Sequence, residues 1–175
     1  MDHAALADER RRRADIIVAA GGIARAVESG KLPRRVNISL SEAVVLGLIL
    51  QDVRRFVGIF GHGSTDVGEV LRVYEGAGLV KTYAVRSEIE AVHAATALRW
   101  VTGEKAAVFT SIGPGAMHAL AASLAPQSDG IGVWFLLGDE TTEDEGPNMQ
   151  QIARHGQNLF FGLFSSMSDS YVLHT

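Results

Sequence analysis

Apolar residues along the chain fall into blocks whose spacing alternates between two patterns. Phe56 to Phe60, Val80 to Val85, Ala106 to Thr110, Ile131 to Leu137 and Leu159 to Phe164 are short, largely unbroken apolar runs. Such runs predict strands buried on both faces. Between them the spacing becomes helical. Residues 4 to 29 predict a helix carrying Ile16, Ile17, Val18, Ile23, Ala24 and Val27, with a break at Gly21-Gly22. Ser39-Leu40-Ser41-Glu42 reads as a capping box that opens a helix to about Leu50. Further helices are expected from Val67 to Tyr74, Glu88 to Val101, Ala116 to Leu124 and Asn148 to His155, the one from Ala116 being stopped near Pro126.

Strands alternating with helices imply right-handed crossovers. The fold class is therefore α/β: three layers, doubly wound, a mainly parallel sheet with helices on both faces. Ile131 to Leu137 and Ala106 to Thr110 are expected as its central strands. Residues 1–37 read as a helical extension and linker, residues 38–175 as one α/β domain. In such sheets ligands bind beyond the carboxyl ends of the strands. Three loops belong there: His62 to Ser64, Ser111 to Gly115, and Asp139 to Thr142.

Composition narrows the chemistry. A net charge of −4 and one short basic run, Arg10 to Arg13, argue against a nucleic-acid groove. With no cysteine there is no disulfide framework and no thiolate metal site, which fits a reducing compartment and a cytoplasmic location. Gly63 and Gly68 have the spacing of a phosphate loop, but Glu69-Val70 stands where Lys-Ser or Lys-Thr belongs. Gly113-x-Gly115-x-x-His118 lacks the third glycine of the dinucleotide fingerprint. Phe109-x-Ser111-x-Gly113 lacks the first glycine of a nucleophile elbow, leaving a Ser111 hydrolase without a marked partner. The acidic segment Asp139 to Glu145 reads first as a solvated loop and second as a divalent-ion site. No metal ligand is assigned.

Glu88 stands out among the carboxylates. Ser87 is placed to cap the helix, which puts Glu88 in its first turn, where the macrodipole favours a negative charge. From the residues alone it is either a dipole-compensating glutamate or a functional one. Glu90 lies roughly 200° further round the helix, and His93 about 140°, so neither shares a face with Glu88. His62 and His118 fall on the ligand edge as substrate-side candidates, with Ser64 and Gln150 beside them.

Glu88, His93-Ala94-Ala95, Thr110-Ser111 and Gly113-Pro114-Gly115 stand in an order and spacing that resemble the pyrimidine-binding domain of thiamine-diphosphate enzymes. Ile112 is one residue extra relative to the commonest form of that turn. Phe60 to Gly63 and Met149 to Ile152 look most like the branch holding trihydroxycyclohexanedione hydrolases, relatives of acetolactate synthase. The resemblance runs over roughly residues 38 to 165. It implies that Glu88 hydrogen-bonds the cofactor's aminopyrimidine and activates thiamine diphosphate for chemistry beside a carbonyl. It also implies cofactor contacts at Ser111, Gly113, Pro114 and Gly115. The family's other domain holds diphosphate and Mg2+ through a Gly-Asp-Gly segment and an Asn-Asn pair. Gly138-Asp139-Glu140 lacks the second glycine, and no Asn-Asn occurs. The expectation is a subunit of a split enzyme or a piece of a longer chain, completed by a diphosphate-binding partner in a hetro-oligomer built on a dimer of pyrimidine domains. The Ala-rich helices, with Ala91, Ala94, Ala95, Met117, Leu120 and Leu124, are expected to line its subunit interface. The alternative is a regulatory or scaffolding domain that keeps the fold without catalysis.

Overall fold

A computed structural model describes residues 3–139, 162, 163 and 165. The elements in chain order are α1 (His3–Ala20), α2 (Ile23–Glu28), α3 (Leu40–Leu50), β1 (Val53–Gly58), α4 (Thr65–Gly76), β2 (Lys81–Ala84), α5 (Glu88–Thr102), β3 (Lys105–Thr110), α6 (Pro114–Ser128) and β4 (Trp134–Leu137). The strands form one parallel sheet in the order β2-β1-β3-β4, in keeping with a three-layer α/β fold. The chain runs from β1 outward to β2, then returns to the other side of β1 with β3. That reversal is a topological switch point, where α/β sheets leave a crevice at the strand ends.

The chain forms two compact units, Met1–Phe56 with Asp66–Thr82 and Val57–Thr65 with Tyr83–Thr175. In the first, Ile17, Val45, Val53, Phe56, Val70, Leu71 and Tyr74 are fully or almost fully buried. One polar cluster sits among them. Glu42 is wholly inaccessible, and its Oε1 accepts from the Tyr74 hydroxyl at 2.7 Å and from Arg13. Arg10 Nε lies 3.6 Å from Oε2, while its Nη2 donates to Ser39 Oγ at 3.1 Å. Burial, reinforced by the neighbouring Glu42 carboxylate, raises the Tyr74 hydroxyl well above its ordinary pKa. Half of the expected capping box is present: Ser39 Oγ accepts from Glu42 N. The Glu42 side chain does not return to Ser39, because two arginines and a tyrosine hold it inside.

In the second unit, Val57, Ala91, Val92, Ala95, Ala106, Val108, Ala119 and Ala122 form the core. Small side chains on α5 and α6 let these helices pack closely on β3. Ala91 and Ala95 are therefore fully buried within the unit, not displayed for a subunit contact, whereas Met117 and Leu124 remain exposed.

The structure corrects several boundaries. β1 begins at Val53, because Arg54 and Arg55 are half-buried within it despite their charge. β4 is shorter than expected and lies at the end of the strand order, with Trp134 exposed, so only β3 of the two expected central strands is central among the described residues. Ile131 does not join β4 since its N–H closes the end of α6 on Pro126 O at 2.8 Å. Pro126 itself lies inside α6 near its end, and the helix runs on to Ser128. Of the expected strand Leu159 to Phe164 only Gly162 and Leu163 are described, and both are helical. The acidic loop beyond Asp139, the helix Asn148 to His155 and Gln150 lie outside the described residues.

Candidate functional site

The loops that leave β1 and β3 meet at the switch point through main-chain groups. His62 O accepts two hydrogen bonds, from Ile112 N at 3.1 Å and from Ser111 Oγ at 3.3 Å. Ile112, the extra residue of the turn, is fully buried, and its side chain lies against Gly63. Phe60 stacks on Phe109 with ring centroids 4.0 Å apart. A Cβ at Gly61 would meet Ser111 Oγ at 2.6 Å, so the two loops can approach this closely only with glycine there. Ser64 is buried, and its hydroxyl both accepts from Gly61 N and donates to Gly61 O, each at 3.1 Å. The hydroxyls of Ser64 and Ser111 are thus engaged with the main chain. A serine whose proton goes to a carbonyl oxygen lacks the neighbouring base that would make it a nucleophile.

Above this floor lies Glu88, the first residue of α5. Ser87 caps the helix, its Oγ accepting from Ile89 N at 3.2 Å. Glu88 is 8% exposed. Its Oε2 is 3.1 Å from His118 Nδ1, and its Oε1 lies 3.0 Å from where a Cβ on Gly115 would be. Gly115 and His118 are three residues apart on α6, hence on one face of that helix. His118 thus meets one oxygen of the carboxylate, and the absence of a side chain at Gly115 leaves room for the other. Glu90, by contrast, is exposed and folds back to accept from Arg86 N at 3.2 Å. His93 is exposed too. The separation of Glu88 from Glu90 and His93 follows from helix geometry, as expected.

Sequence reasoning did not find the Glu88–His118 pair. The two residues lie 30 positions apart, on different helices, and no local spacing links them. Nor did it find the role of Ile112, which looked like an insertion and is instead the apolar pin of the turn. Gly113 precedes α6 as its N-cap at φ 60°, and Pro114 follows in the first helical turn, where its missing N–H leaves no intrahelical bond unmade.

A nearly buried carboxylate over a glycine-rich turn suits a hydrogen-bond donor or a cation better than an anion. The sequence profile described as "Thiamine pyrophosphate enzyme, N-terminal TPP binding domain" matches residues 38–159. The chain belongs to this family. It is also 34% identical over 105 residues to the acetolactate synthase isozyme 3 large subunit of Escherichia coli (strain K12). That match covers 60% of this chain and 18% of the relative, so the chain spans less than a fifth of that protein's length. The nearly buried Glu88 carboxylate and the Gly113-Pro114-Gly115 turn lie together, an arrangement compatible with the cofactor's pyrimidine. Among the described residues no group of three or more His, Asp or Glu side chains is placed to hold a metal ion. No described helix is long and apolar enough to cross a membrane.

Proposed function

We propose that this chain supplies the pyrimidine side of a thiamine-diphosphate-dependent enzyme that makes or breaks a carbon–carbon bond next to a carbonyl. The reaction class is that of 2-oxo acid decarboxylases, carboligases and cyclic-dione hydrolases. When bound, thiamine diphosphate supplies a nucleophilic carbon and an electron sink. The diphosphate and its Mg2+ are held by a diphosphate-binding domain outside the described residues, in a larger assembly built on paired pyrimidine domains. Location in the cytoplasm accords with a chain without cysteine.

The observation that carries this reading is the carboxylate of Glu88, held almost out of water at a helix start and over a glycine. Its task is to hold or share a proton at a ring nitrogen of the aminopyrimidine. A carboxylate with little solvent around it makes a stronger hydrogen bond than an exposed one. Gly113 and Gly115 leave room for a flat ring to approach the main chain, and Ser111 closes the floor below it. His62, exposed on the loop after β1, is the substrate-side candidate whose main-chain oxygen meets Ser111.

The test is Glu88→Gln in the assembled enzyme, read by hydrogen–deuterium exchange at the cofactor's reactive carbon. Loss of proton sharing should slow exchange by roughly 10²–10⁴-fold. Glu90→Gln is the matched control and should stay within a few-fold of wild type. Equal rates for Glu88→Gln and wild type would remove Glu88 from the chemistry and leave a scaffolding domain.

A further inference from the structure

We infer that His118 is the positioning residue of this site: its Nδ1–H donates to Glu88 Oε2 and fixes the direction of the carboxylate. The inference rests on the cofactor reading above for its functional part, and on geometry for the rest. The sequence placed His118 on the ligand edge as a residue for substrate. The structure brings its Nδ1 to 3.1 Å from Oε2 instead.

Three features favour a positioning role. First, the partners differ sharply in exposure: the side chain of His118 is 60% accessible and that of Glu88 10%. A half-open imidazole is a stable outer support for a carboxylate that faces inward, because its other nitrogen can stay hydrated. Second, Gly115 sits on the same face of α6, and the space its missing Cβ leaves lies 3.0 Å from Oε1, so glycine there admits the carboxylate beside His118. Third, a neutral imidazole at this distance can donate to Oε2 only with its proton on Nδ1, and the bond made at one ring nitrogen decides which tautomer exists.

The tautomer is directly measurable. With ¹⁵N-labelled histidine, the wild-type chain should show His118 as the Nδ1–H form when its ring is neutral, and Glu88→Ala should abolish that preference. Function is read by two replacements in the assembled, cofactor-loaded enzyme. The amide of Asn reaches the place of Nδ1, so His118→Asn should retain cofactor-carbon exchange within a few-fold of wild type. His118→Leu removes the donor and should slow exchange roughly ten- to hundredfold, the worth of a hydrogen bond to a charged group. A wild-type Nε2–H tautomer unmoved by Glu88→Ala overturns the inference. So does a Leu variant as fast as wild type, or an Asn variant as slow as Leu, which would require the imidazole itself. If the wild-type assembly shows no exchange at all, the cofactor reading fails, and the tautomer measurement alone decides whether His118 positions Glu88.

Discussion

Replacing Glu42 by Gln keeps the shape of the side chain and removes one charge from the interior of the first unit. Glu42 is inaccessible, Arg10 and Arg13 keep only 8% and 11% of their side-chain surface, and Tyr74 is fully buried. An amide can still accept from Tyr74, but it leaves two nearly buried guanidinium groups without an anion. Removing one partner of a buried ion pair costs about 3–5 kcal/mol. Single domains have roughly 5–15 kcal/mol in total, so the variant should lose about a fifth or more of its stability. Tyr74→Phe removes only one donor to the carboxylate, and should cost about 1.5–3 kcal/mol. The double variant should cost less than the sum, because the tyrosine's bond is strong only while its acceptor is charged. The assay is denaturant unfolding followed by circular dichroism, with equal slopes required before midpoints are compared. A loss below about 1 kcal/mol for Glu42→Gln would refute the reasoning, since that is the worth of a solvated surface pair. The converse experiment is informative as well: Arg10→Met, Arg13→Met and Glu42→Leu together should come close to wild type, because nothing charged is then left buried.

Gly115→Ala should leave folding intact or improve it, since alanine is the better helix former by about 1 kcal/mol, while its Cβ crowds Glu88 Oε1. Cofactor-carbon exchange should therefore fall as the melting temperature holds or rises, and a variant with unchanged exchange would show that the carboxylate has room to move. Glu75 is held below its ordinary pKa of 4.5, chiefly by the hydrogen bond from Lys81. A lowered carboxylate contributes stability above the unfolded pKa and loses it as pH falls through the folded one. The stability difference between wild type and Lys81→Met should thus be present at neutral pH, begin to fall as pH drops through 4.5, and vanish below the lowered folded value, in urea titrations across that range; a difference that persists in acid would mean the pair is not its source.

Much of the fold is legible because its signals are local. Ser39 and Ser87 cap where hydroxyls before apolar helices should cap, and β3 was found as an unbroken apolar run. The misplaced boundaries share a cause, which is that tertiary context outweighs local type. Arg54 is charged yet lies in β1, with its guanidinium donating to Leu79 O at 3.4 Å. Ile131 is β-branched yet serves the end of α6. At the site, Glu88 and the Gly-Pro-Gly turn could be recognised from order and spacing. Its geometry could not, because His118 meets Glu88 only once α6 has packed beside α5. Glu42 is the same lesson in the other unit: a capping-box glutamate by position and a buried ion-pair member by its long-range partners.

The clasp on Glu88 also has an entropic consequence. A glutamate side chain surrenders roughly 1.5–2 kcal/mol of rotamer freedom when it is immobilised. Here folding has already absorbed that loss, because burial and the His118 contact confine the carboxylate before any ligand arrives. A ring that matches the ordered carboxylate meets a receptor that does not have to be organised on contact. By the usual conversion this preorganisation is worth roughly a ten- to thirtyfold gain in affinity over the same glutamate left free to rotate.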